Sequence, residues 1–158
     1  MPKPATAADA QVVLQLYDLR REAEMRKART WWFVSFWPQN ADDFMKVMNA
    51  MGTPENAWLR QVAGYWDMAA ALALSGAVNQ ELFLLPSISG EMFTIYAKVR
   101  PFIKELREKL QNPEVMGNIE TLINSSKKGR ERLKQFEVRL AARRKLMMEA
   151  ASAKAKAS

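Results

Sequence analysis

Two residue types are missing from this chain of 158 residues: cysteine and histidine. Without cysteine there is no disulfide, no thiolate zinc site, no iron–sulfur cluster and no cysteine nucleophile. That absence is compatible with a reducing compartment. Without histidine the chain loses the commonest general base, the usual haem ligand and the Glu-x-x-His pairs with which helical bundles hold di-iron centres. Glycine and proline are scarce, at six and seven residues, and β-branched runs are few, which argues against an all-β fold. No glycine-rich phosphate loop and no internal repeat is present. The opening MPKPATAADA has no long apolar core and does not read as a secretory signal. The longest apolar run of the central helix, residues 68–74, is far short of the roughly 20 residues a bilayer needs.

What is present is an apolar fraction of 49%, ordinary for a globular domain and too high for wholesale disorder. The strongest local signal is the stretch 53–83. Thr53 offers a capping oxygen, Pro54 suits the first helical position, and Glu55 sits at the positive end of the dipole. Trp58, Val62, Trp66, Ala69 and Ala73 then recur at helical spacing, with Leu59, Ala63, Ala70 and Leu74 as a second face. So wide an apolar surface predicts a buried central helix near 54–76 with neighbours on several sides.

The rest of the chain reads as helices around it. Thr6 and Asp9 resemble a capping box, opening a helix to about residue 29 with Val12, Leu16, Leu19 and Ala23 inward. TWWFVSFWP follows, with six large apolar residues in eight positions. It reads either as a core plug packed on Trp58 and Trp66 or as an exposed anchor for a partner. Asn40 caps a short helix ending at Gly52. Pro86 and Ser89 mark a turn before a fourth helix from about Gly90, which Pro101 is expected to kink. A fifth helix buries Val115, Met116, Ile119, Leu122 and Ile123. After a polar hinge at 125–129 comes a last helix carrying Leu133, Phe136, Leu140 and Met147 at coiled-coil-like spacing. Its tail, ASAKAKAS, is expected to fray. The expected architecture is all-α: an irregular bundle of five to six helices, a helical domain over 1–126 and a basic helix with its tail over 127–158.

Charge is divided along that boundary. Residues 127–158 hold eleven Lys or Arg against three Glu, a net of +8, whereas residues 1–126 are near neutral at −1. Lys127, Lys128, Arg130, Arg132, Lys134, Arg139, Arg143, Arg144 and Lys145 are therefore candidate contacts to phosphate or to an acidic partner. Such a block is more often a solvated face or an intramolecular clamp on acidic neighbours. One aromatic residue and no helix-turn-helix weaken a nucleic-acid reading. The absence of tryptophan there limits an anionic membrane surface to shallow contact.

Asp67, inside the most apolar helix, is the one candidate buried polar site; an arginine such as Arg60 or Arg100 is its expected neighbour. Glu91, Glu105 and Glu108 are further carboxylates, with nothing in the sequence to bring them together. No catalytic residue, metal ligand or cofactor is assigned.

The blocks WLRQVAGYWDMAAALALSGAV, ELF, GEMFTIYAKVRPFIKELR and NPEV together resemble an uncharacterised family of small helical bacterial proteins, over roughly residues 10–125. The likeness implies a bacterial cytosolic helical domain and carries over no site residue. The expected function is a non-enzymatic, cytoplasmic interaction or scaffold protein that associates with itself or another protein. Nucleic-acid binding through the basic helix is the alternative, and a small-molecule pocket near Trp58, Trp66 and Asp67 a weaker third.

Overall fold

The computed structural model describes residues 3–157, and these form an all-helical bundle. Nine α-helices are present among them: α1 (Ala7–Leu19), α2 (Ala23–Thr30), α3 (Ala41–Asn49), α4 (Pro54–Leu74), α5 (Gln80–Phe83), α6 (Pro86–Val99), α7 (Ile103–Lys109), α8 (Gly117–Asn124) and α9 (Lys127–Ala157). That is more than the five or six expected, because three stretches divide. The first helix breaks at Arg20–Glu22, where Glu22 turns its carboxylate back to cap Met25 N. Glu22 therefore begins α2 instead of supporting Arg26 along one continuous helix. Residues 80–83 form their own turn of helix, capped by Asn79. Pro101 cannot donate to the carbonyl four residues back, so Arg100–Phe102 becomes a 3-10 turn between α6 and α7.

Three expected caps are made. Thr6 and Asp9 close a reciprocal capping box, Asn40 accepts from Asp43 N at 2.9 Å, and Thr53 accepts from Asn56 N at 3.2 Å. Ser89, expected as a cap, instead sits inside α6 at a kink (φ −115°, ψ 19°), with α6 already begun at Pro86.

The central helix is α4, as its two apolar faces require. Val62, Trp66, Ala69 and Ala73 are buried on one, Leu59 and Ala70 on the other. It packs against α2, α3 and α8. The aromatic stretch is mainly core. Residues Trp31–Ser35 continue α2 as one π-helical turn, with Phe36 N bonded to Trp31 O at 2.9 Å. Trp32 and Phe36 are buried, and Trp31 stacks on Phe36 with ring centroids 4.5 Å apart. Trp31 also reaches Trp58, but Trp66 packs elsewhere, edge-on to Tyr65 and Phe83.

The junction before α9 is no loose hinge. Ser126 caps Gly129 N at 2.9 Å, and Gly129 is buried so tightly that an added Cβ would lie 2.3 Å from Ile123 O. That seat fixes the start of α9, whose first half then packs on α6 and α8 through Leu133, with Phe136 stacked on Phe93. The helix runs on to Ala157, with no frayed tail among the described residues. No helix there is long and apolar enough to cross a membrane.

Candidate functional site

Asp67 is half-buried instead of buried as expected, and it serves as a helix cap. Met116, in the left-handed region at φ 53°, precedes α8 and offers it no side-chain bond. The orphan N–H groups of the first turn need acceptors, and Asp67 reaches across from α4 to supply them. Its carboxylate accepts from Asn118 N at 3.1 Å, Ile119 N at 3.2 Å and Asn118 Nδ2 at 2.8 Å. With Gly117 N on Glu114 O and Glu120 N on Met116 O, the first turn of α8 is fully satisfied. Neither Arg60 nor Arg100 is its partner: Arg60 bonds Asn56 and Arg100 bonds Glu137. The other carboxylates stay apart as well. Glu91 holds Arg29 in a bidentate pair between α6 and α2, and Glu105 lies near Lys109. Among the described residues no three acidic side chains converge as a metal site.

The unusual charge lies elsewhere, at Lys98. It is 1% exposed and ranks among the largest fully buried side chains of the core. Its position on α6 is dictated by its neighbours, since Ile95, Tyr96, Ala97 and Val99 are all buried around it. The π turn ends with carbonyls that no helix continues to satisfy. Lys98 Nζ donates to two of them, Trp32 O at 2.5 Å and Phe36 O at 2.8 Å, and lies 3.9 Å from the Trp37 ring centroid. Trp37 Nε1 takes Val34 O, and Arg144 Nη2, from α9, takes Pro38 O at 3.1 Å. A cation at the carbonyl end of a helix is favourably placed.

What the site lacks is an opposing charge. No carboxylate is paired with Lys98 or Arg144 among the described residues, and the buried Nε of Arg144 has no acceptor. Burial, and then the nearby Arg143 and Arg144 guanidiniums, lower the Lys98 amine to about 7. Charged and neutral forms therefore coexist near neutrality. A neutral amine in a cleft is what imine chemistry requires. Here the amine is engaged by two carbonyls and a tryptophan face, and of the two carboxylates in the cleft Glu137 is held by Arg100 and Glu149 is on the exposed part of α9. The arrangement is suited to holding negative charge.

Beside Lys98 and Arg144 opens a groove of about 820 Å³, walled by the α6–α7 turn at Ala97 and Pro101 and by the inner side of α9 from Glu137 to Lys156. Leu140, Ala141, Met148 and Ala153 make much of its wall apolar, and Lys145, Glu149 and Lys156 line it as well.

The basic residues singled out in the sequence do not form one patch. Arg130 bonds Asn124 O at 2.5 Å, Arg132 bonds Leu84 O, and Lys127 lies 3.8 Å from Glu131. Arg139 covers the Phe136 ring, whereas Arg144 and Lys145 face the groove. Lys128, Lys134 and Arg143 are exposed. Lys98 itself was missed. Its signal was present, a lysine embedded in an otherwise wholly apolar turn of a core helix, as Asp67 is in α4.

The chain belongs to the family described as Domain of unknown function (DUF4760), whose family model matches residues 5–126. The match spans α1 to α8 and leaves α9 outside it. No curated protein and no solved structure matches the chain.

Proposed function

We propose that this chain, as a member of that family, is a non-catalytic, cytoplasmic interaction protein that engages a protein partner through α9. One observation carries the reading. From Lys145 onward every described residue of α9 is exposed, including Leu146, Met147 and Met148. A helical end of that length is marginal in water without packing, and three adjacent large apolar side chains at its start favour cover by a partner. Met147 continues the Leu133–Leu140 seam beyond the point where the body stops covering it.

A photo-crosslinking residue at Leu146 tests this in cells expressing the full chain. The expected result is a discrete protein adduct at Leu146 and none at the equally exposed Lys134. Absence of any protein adduct at Leu146 defeats the reading. The alternative, nucleic-acid binding, predicts a mobility shift with DNA or RNA that weakens steeply as salt rises. Two basic side chains of α9, Arg130 and Arg132, are engaged by backbone carbonyls, which favours the protein partner.

A further inference from the structure

We propose that the groove between the α6–α7 turn and α9 binds a single-chain acyl anion, its head group on Arg144 and its chain along Leu140 and Met148. The proposal shares Met148 with the protein-partner reading but rests on different observations, and the Leu146 adduct and the dodecanoate titration fail independently.

Charge complementarity commits the groove to an anion. Two cations, Lys98 and Arg144, lie side by side at its inner end, one fully buried and the other half-buried. Charges removed from water are expensive unless paired, and neither has a carboxylate. Lys98 spends its donors on Trp32 O, Phe36 O and the Trp37 ring, so it contributes field more than contact. Arg144 uses only Nη2, on Pro38 O, and its buried Nε remains without an acceptor. Its guanidinium lines the groove, and planar donors of that kind take a carboxylate or phosphate oxygen.

The remainder of the groove selects what the anion is attached to. Its walls are mainly Ala97, Pro101, Leu140, Ala141, Met148 and Ala153; Glu137, Glu149 and Ser152 also line it, and its four cations outnumber its two carboxylates. From Arg144 to Ala153 the helix advances about 14 Å at roughly 1.5 Å per residue, an extended strip that suits a chain better than a ring. Methionine adapts to flexible apolar ligands. The charged groups acting on Lys98 are Arg143 and Arg144 from α9; the groove also holds Glu137, bonded to Arg100, and Glu149, Lys145 and Lys156 on the exposed part of α9. An arriving anion favours the ammonium form and draws a proton onto the amine.

Titration calorimetry of the full chain with dodecanoate, below its aggregation threshold and at pH 7.5 to 8, tests this. The expected result is saturable one-to-one binding, with dodecyltrimethylammonium and acetate failing to bind. Repeating it in buffers of different ionisation heat is expected to reveal proton uptake, lost in Lys98→Met. Met148→Glu adds a third carboxylate to those of Glu137 and Glu149, at an exposed site that tolerates it and in the path of the chain, and is expected to weaken binding about tenfold or more. Lys145→Gln, also exposed, is expected to give a smaller loss. Equal binding of the anionic and cationic chains overturns the proposal, as does binding unmoved by Met148→Glu. Attachment to phosphatidylglycerol vesicles without binding of monomeric dodecanoate also overturns it, and assigns the cations to a membrane surface.

Discussion

Asp67 and Lys98 pose the same problem and receive different answers. Each is a charged residue inside the apolar stretch of a core helix, and each meets the open end of another helical segment. Asp67 meets backbone N–H groups and is matched: three donors surround its carboxylate, and the first turn of α8 is left with no orphan. Lys98 meets backbone carbonyls and is matched only in hydrogen bonds. Its charge is compounded by Arg144 and has no counter-ion. A polar group inside a bundle that is fully satisfied, as the half-buried Asp67 is, explains itself through the fold. One that is satisfied in bonds but not in charge points beyond the fold. The α4–α8 contact is thus explained by the fold, and the α6–α9 contact is where the proposed anion would bind.

The largest expected effect comes from breaking the seat on which both junctions rest. Gly129→Ala drives a Cβ to within 2.3 Å of Ile123 O, a backbone atom with little freedom to retreat. Overpacking of this kind costs about 3 kcal/mol. It is expected to lower the thermal midpoint and to loosen α8 and α9 together in hydrogen exchange. Gly90→Ala is the control, because its Cβ would meet the Phe136 ring at 3.3 Å, a side chain able to shift.

Lys98 gives the next effect, readable as pH dependence. The unfolded lysine titrates at about 10.4 and the folded one at about 7. Between these values the unfolded chain binds the extra proton, so this group makes stability rise with pH across that window. At and below pH 7 the folded state bears the full cost of the buried charge. Denaturant titrations from pH 6.5 to 9.5 are expected to show wild type gaining on the order of 2 kcal/mol relative to Lys98→Met. A constant difference between the two across that range places the charge in a better solvated site than its burial indicates.

On the matched side, Asp67→Ala removes the acceptor for two α8 N–H groups and the Asn118 amide. Loss of a cap of this kind costs about 1 to 2 kcal/mol. Chemical denaturation checks the size, and amide exchange at Asn118 and Ile119 checks the place. Dodecanoate binding is expected to be unchanged, since Asp67 contributes nothing to the groove.

Much of this was legible in the sequence, where a single local rule decides. Thr53-Pro54, Asn40 and the Thr6–Asp9 box name their own roles, because a cap is written within four residues. The burial of α4 followed from its period. What a charged residue will face was not legible, because its partner comes from far along the chain. Asp67 is answered 51 residues later by Asn118, and Lys98 is answered 66 residues earlier by Trp32. An arginine was the natural expectation for Asp67, yet the left-handed Met116 opened α8 without its own cap and created a better claimant. The block of basic residues misled in a different way. Counted along the sequence it is one patch, but a helix distributes consecutive residues around its axis, and only Arg144 and Lys145 among those named reach the groove.

The smallest effect tests whether the end of α9 is as unmatched as the groove beside it. Leu146→Gln replaces a side chain that is 65% exposed, and exposed substitutions away from packing change stability by under about 0.5 kcal/mol. The expected thermal midpoint of the isolated protein is that of wild type. A clear loss of stability shows that Leu146 is already covered in solution, and dilution then separates the causes. A loss that disappears on dilution means a second copy supplies the cover, since only that contribution depends on protein concentration. A loss that persists means α9 folds back on its own body and the groove is closed from within. With no loss at all, the apolar end stays uncovered in the pure protein, and its cover must come from another molecule.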